Sequence, residues 1–211
     1  MNNHVEDVLR RYPTLAVCEE AITTAIQAVA ACYENGGKLL LCGNGGSCAD
    51  SDHIAGELLK GFLKKRPLSA EQVEAMQMAC PELEPDLLEK LQGGLPAIPL
   101  TAMAALFTAF CNDVDPELVF AQQVLALGRT GDVLIGISTS GNAKNVAAAA
   151  KVAKGLGMTV IGLTGRNGGT LRELSDICIC VPETETYKVQ ELHLPVYHCL
   201  CAAVEEHFFK Q

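Results

Sequence analysis

His53 and Glu57 stand four residues apart, a spacing that puts an imidazole and a carboxylate on one face of a helix, where together they can move protons. Alone, such a pair is as readily a solvated surface contact. What gives it meaning is the stretch before it. Residues 38–42 are a short apolar run entering Gly43-Asn44-Gly45-Gly46, and Ser47 follows as a good helix N-cap with Asp50 three residues on. Strand, glycine turn and helix N-terminus form an anion cradle suited to a phosphate, with Asn44, Gly45, Gly46 and Ser47 lining it. The pattern is neither GxxxxGK[ST] nor GxGxxG, so the nucleotide fingerprints do not apply. A purely structural βα turn would use the same glycines. A ligand held by its phosphate at this turn would have its carbon chain within reach of a base on the helix.

A second unit repeats the pattern with hydroxyls in place of some glycines. Residues 132–137, DVLIGI, run into Ser138-Thr139-Ser140-Gly141-Asn142 and then an alanine-rich helix ending at a glycine. Two anion-compatible turns in one sheet suggest one ligand held between them. The tail, residues 185–208, reads as one long helix with Pro195 inside it, expected to kink there. Gln190, His193 and His198 are polar groups on that otherwise apolar helix, and spacing alone leaves them as satisfied core groups or site residues.

Positioning these groups needs a frame. Strands are expected at 38–42, 97–100, 132–137, 159–163 and 177–181. Helices are expected at 14–34, 101–111, 116–127, 171–174 and after each organising turn. Strands alternating with helices predict an α/β fold: a doubly wound, mainly parallel five-stranded sheet flanked by helices. Residues 1–211 read as a single domain with N-terminal helices over 1–36. The charged, proline-punctuated stretch 63–95 reads as a helical insertion with short helices near 70–79 and 84–91. In such sheets ligands bind at the carboxyl ends of strands, where both organising turns lie.

Composition narrows the partners. With 49% hydrophobic and 19% charged residues the chain has ample core, and a net charge of -9 argues against nucleic acid. A phosphorylated ligand must then be held by N–H groups and hydroxyls. No apolar run is expected to reach transmembrane length and the polar start is no signal peptide, so the expectation is a cytoplasmic protein with no membrane partner. Ten cysteines without a CxxC pair read mostly as buried thiols. Cys48, beside the cradle, is a small residue that fits or a thiol activated by the helix start.

GNGGS with DHIAGE, then GDVLIGISTSGN, VIGLTGRNGG and VQELHLPVYH, together resemble the sugar isomerase (SIS) domain proteins, and within them the phosphoheptose isomerases. The resemblance covers most of the chain except 63–95. It implies an aldose–ketose isomerase converting sedoheptulose 7-phosphate to D-glycero-D-manno-heptose 7-phosphate through an enediol, as a homotetramer with sites at subunit interfaces. It implies that Ser47, Ser138, Thr139 and Ser140 bind phosphate, with Asn44 in the same turn, that Glu57 is the base and that His198 is its acid/base partner. His53, Glu57, Gln190 and His198 match the residues that hold zinc in members carrying a metal, and such a donor set is chemically reasonable for it. A carboxylate is a weak base for a carbon acid, so zinc or an imidazolium is expected to polarise the carbonyl. The chain departs from the family pattern at Thr101-Ala102 and at Tyr187, where an aspartate is usual, and at Ala143, where a serine is. These bear on the sugar hydroxyls more than on proton transfer. The rival readings are a non-catalytic SIS module, such as a sugar-phosphate-sensing regulator or a replication-initiation partner, and another sugar-phosphate enzyme of the same fold. Retention of His53, Glu57, Gln190 and His198 favours the heptose isomerase.

Overall fold

The computed structural model describes residues 2–209. Five strands, β1 (Leu39–Gly43), β2 (Ala97–Pro99), β3 (Val133–Ser138), β4 (Thr159–Thr164) and β5 (Ile177–Cys180), form one parallel sheet in the order β2-β1-β3-β4-β5. β1 and β3 are buried at every residue, as their uninterrupted apolar sequence demands of strands covered on both faces. Strand alternation divides the core. Leu39, Leu41, Val133, Ile135 and Ile161 pack with helices α1 (Asn2–Arg11), α2 (Glu19–Glu34), α3 (Gly46–Leu59) and α10 (Thr186–Phe208). Leu40, Cys42, Leu134 and Val160 pack on the other face, with α6 (Ala104–Asp113), α7 (Val119–Leu127), α8 (Lys144–Gly155) and α9 (Gly169–Leu174).

The chain leaves β1 toward β2 and then crosses back to β3, so the strand order reverses between β1 and β3. Gly43 pairs with Ile137 at the carboxyl ends of these two strands, and the two polar turns open side by side there. The opposite end is tied by Asp132, which accepts from the backbone of Lys38 at 3.0 Å and of Arg129 at 2.8 Å and pairs with the Lys38 ammonium.

The expected insertion carries α4 (Ala70–Ala79) and α5 (Pro85–Lys90), and an antiparallel bridge between Pro67 and Gln92 closes its neck. Pro13–Glu34 corrects the reading that no stretch suits a membrane: by length and composition it does. Here it is a 3₁₀ turn, Pro13–Cys18, followed by α2, with Ile22, Ile26 and Val29 in the core. The tail helix begins one residue later than expected and runs unbroken through Pro195.

Candidate active site

At the strand-order reversal the two turns border one cavity of about 400 Å³. Asn44, Gly45, Gly46 and Ser47 line one side, Ser138, Thr139 and Ser140 the other, and Thr186 and Gln190 of α10 close it. Among the described residues no lysine or arginine lines it. The polar groups it presents are hydroxyls and amides.

Two details correct the sequence reading. Ser47 is the second residue of α3, not its cap. Gly45 occupies the cap position at φ 57°, a backbone that glycine adopts without strain. The Ser47 and Cys48 N–H groups are already engaged, each at 3.0 Å, by the carbonyls of Asn44 and Gly45. The cradle therefore relies on the hydroxyls of Ser47, Thr139 and Ser140 more than on the first-turn N–H groups. Asn44 is also committed: its side-chain amide exchanges two 2.9 Å hydrogen bonds with Asn145 at the start of α8, bracing the first turn against the second. Asn145 was not singled out from sequence. Gly46 is small for a reason, because a Cβ there would meet Gln190 Nε2 at 2.4 Å.

The protolytic residues lie farther along the same two helices. Tyr197 Oη donates to Asp50 Oδ1 at 3.3 Å and lies 3.0 Å from His53 Nδ1, while His53 Nε2 is 3.2 Å from Glu57 Oε1. Lys60 Nζ reaches the other Glu57 oxygen at 3.2 Å. The His198 ring stands edge-on to His53 and to Tyr197, each with centroids 5.0 Å away, and lies 5.4 Å from Phe62. Its Nε2 is buried and makes no hydrogen bond. Burial, and then the neighbouring His53, hold the His198 pKa below its ordinary value, so the ring is neutral at neutral pH. Glu57 stands roughly 15 Å along α3 from Ser47. Helical side chains lean toward the N-terminus, which brings the carboxylate back toward the cradle. Tyr197 escaped the sequence reading, and Asp50 entered it only as part of the helix start, not for its contact with Tyr197.

His193 belongs to the core. It is wholly buried, its ring nitrogens close no hydrogen bond of good geometry, and burial pushes its pKa down to about 4 despite the backbone at Thr164. Of the departures noted above, Ala143 does line the anion cavity, whereas Tyr187 is exposed. Thr101 lies on the other flank of Gly45, donating to Asp52 Oδ1 at 2.8 Å beside a smaller, more apolar cleft of about 270 Å³.

Zinc can be tested against this geometry. Among the described residues no three histidine, cysteine, aspartate or glutamate side chains group so as to hold a metal ion. His53, Glu57 and His198 are near neighbours, but Gln190 lies eight residues up α10 from His198, roughly 12 Å along the axis, with its amide at the cradle.

Similarity to known proteins fits the fold and the cradle. SIS domain families match residues 3–94 and 101–203. A phosphoheptose isomerase of Roseiflexus sp. (strain RS-1) is 42% identical over 97% of this chain and 90% of its own. The chain belongs to the SIS domain family, in its phosphoheptose isomerase branch. A phosphoheptose isomerase of Aneurinibacillus thermoaerophilus is 39% identical over 99% of this chain and 90% of its own. The solved phosphoheptose isomerases of Neisseria gonorrhoeae and Francisella tularensis superpose with TM-scores of 0.75 and 0.76, each at 34% identity over 97% of this chain and 96% of theirs.

Proposed function

We propose that this SIS domain protein interconverts sedoheptulose 7-phosphate and D-glycero-D-manno-heptose 7-phosphate. The observation that carries the reading is the pairing on α3 and α10: each helix contributes one wall of a cation-free, hydroxyl-lined cavity, from Ser47 and Gln190, and one partner of a proton-transfer pair, Glu57 and His198. The branch to which its relatives belong names the reaction type.

Ser47, Thr139 and Ser140 hold the phosphate, and Gln190 orients the chain leaving it. Glu57, steadied by His53 and Lys60, removes a proton from C1 of the open-chain ketose. His198, a neutral imidazole, donates to the C2 oxygen as the carbonyl becomes an enediol. Glu57 then returns the proton to C2 while the C1 hydroxyl gives its own to His198, restoring the imidazole and leaving the C1 aldehyde. Zinc, if held by His53, Glu57, Gln190 and His198, would polarise the carbonyl. We place the enzyme in the cytoplasm as a homotetramer with sites at subunit interfaces, where its cysteines, all free, stay reduced.

The test is turnover of sedoheptulose 7-phosphate in deuterated water, with deuterium appearing at C2 of the aldose. Glu57→Gln and His198→Asn should each cost about 10² to 10⁴ in kcat, the span for a positioned acid or base. The double variant should cost less than the product, because both act in one transition state. Tight binding without turnover by the wild type would instead favour a sugar-phosphate sensor.

A further inference from the structure

Arg66 and Glu205 form an ion pair whose side chains are 0% and 1% exposed, at the neck of the insertion. A pair so fully removed from water is expensive unless its donors and acceptors are used, and here each guanidinium nitrogen and both carboxylate oxygens are engaged. Arg66 donates through Nε to Glu205 Oε1 at 2.8 Å, through Nη1 to the Leu58 carbonyl at 2.7 Å and through Nη2 to the Glu57 carbonyl at 3.0 Å. Glu205 also accepts from the backbone of Phe62, Leu63 and Lys64 at 2.8, 2.7 and 3.1 Å, and Phe209 covers the guanidinium at 4.6 Å.

Leu58 and Glu57 lie in the last turn of α3, whose carbonyls have no partner within the helix. Gly61 follows the cap residue but is not left-handed, so no glycine-type cap ends this helix. Lys60 follows in extended conformation, and the buried guanidinium caps the carbonyls instead. One planar group thus grips the backbone of the residue that carries the base and, through Glu205, the helix that carries His198. It also orders the segment bearing Phe62, whose ring lies against His198.

We infer that Arg66 is a positioning residue for the isomerisation: its bonds to the Glu57 and Leu58 carbonyls and to Glu205 fix Glu57 relative to His198. The inference rests on Glu57 and His198 acting as proposed above. Lysine keeps the charge at this site but cannot make three directed bonds from one plane. Displacement of a catalytic group by about 1 Å can cost on the order of 100-fold. The anion cavity lies at the other end of α3 and should be untouched.

Arg66→Lys, Glu205→Gln and the milder Phe209→Leu are compared with wild type for kcat, KM and the partition of the migrating hydrogen between direct return and exchange with deuterated solvent. Asp132→Asn, which weakens the far end of the sheet, is the stability control. The expected result is a fall in kcat of about 10- to 100-fold in Arg66→Lys and Glu205→Gln, smaller in Phe209→Leu, with KM held within about twofold. Solvent exchange should rise in all three and remain at the wild-type value in Asp132→Asn. A merely structural role would lower melting temperature and leave the hydrogen partition unmoved. Wild-type kcat and partition in whichever of the three variants fold, Phe209→Leu sufficing alone, would overturn the inference. Full activity in Glu57→Gln would instead overturn the catalytic assignment, so the two failures are distinguishable.

Discussion

Ser47 and Thr139 face one cavity from opposite sides of the β1–β3 reversal, one on a helix and one on a loop, so neither can stand in for the other. A hydrogen bond to a charged group is worth about 1.5–3 kcal/mol, and Ser47→Ala or Thr139→Val should weaken sugar-phosphate binding by roughly 10- to 100-fold. Replacing both with leucine should abolish it. Calorimetric titration checks this, and unchanged affinity would move the phosphate elsewhere. These hydroxyls were legible because each follows an apolar strand and sits in a glycine turn, a purely local pattern. Tyr197 and Asp50 were not legible. Their roles arise only when α10 packs against α3, 147 positions apart in sequence, and no local spacing announces that contact. Asn44 was placed correctly in its turn, but its brace to Asn145 is equally non-local.

At the scale of elements, the strands were readable to within a residue or two and the insertion helices nearly as well, since apolar runs and prolines mark their ends. What joins elements was not readable. Arg66 lies in a basic run that looks solvated, and only the fold shows it capping α3 and gripping α10. That pair makes stability depend on acid. Burial works to raise the Glu205 pKa, but the N–H groups of Phe62 and Leu63 and the Arg66 guanidinium outweigh it, and the net direction is down from 4.5. A carboxylate whose folded pKa is depressed contributes stability above its unfolded pKa and loses it as pH falls through the folded value. Glu205→Gln should therefore be less stable than wild type at neutral pH, with the gap closing below about 4.5. Denaturant melts at stepped pH measure the gap, and a constant difference down to strong acid would contradict the pairing.

The molecule as a whole leaves apolar surface that one chain does not use. α6, sequence AALFTAFCND, has no buried residue, and its neighbourhood exposes Leu106, Val114, Leu118 and Leu125. Phe107, Phe110 and Cys111 cover one face of α6 against the core, and the apolar residues left on the outside are of the kind that another subunit can bury. The expected assembly is a closed homotetramer, the state the family resemblance implies. Light scattering at micromolar concentration should give about four times the chain mass, and a monomer mass would reject the prediction. Leu106→Glu, by charging that helix, should shift the population toward smaller species. One chain supplies Asn44, Ser47, Ser138, Thr139, Ser140 and Gln190 to the anion cavity, so the dissociated protein should still bind sugar phosphate while its kcat falls. Loss of binding in step with turnover would show instead that the cradle itself is shared between subunits.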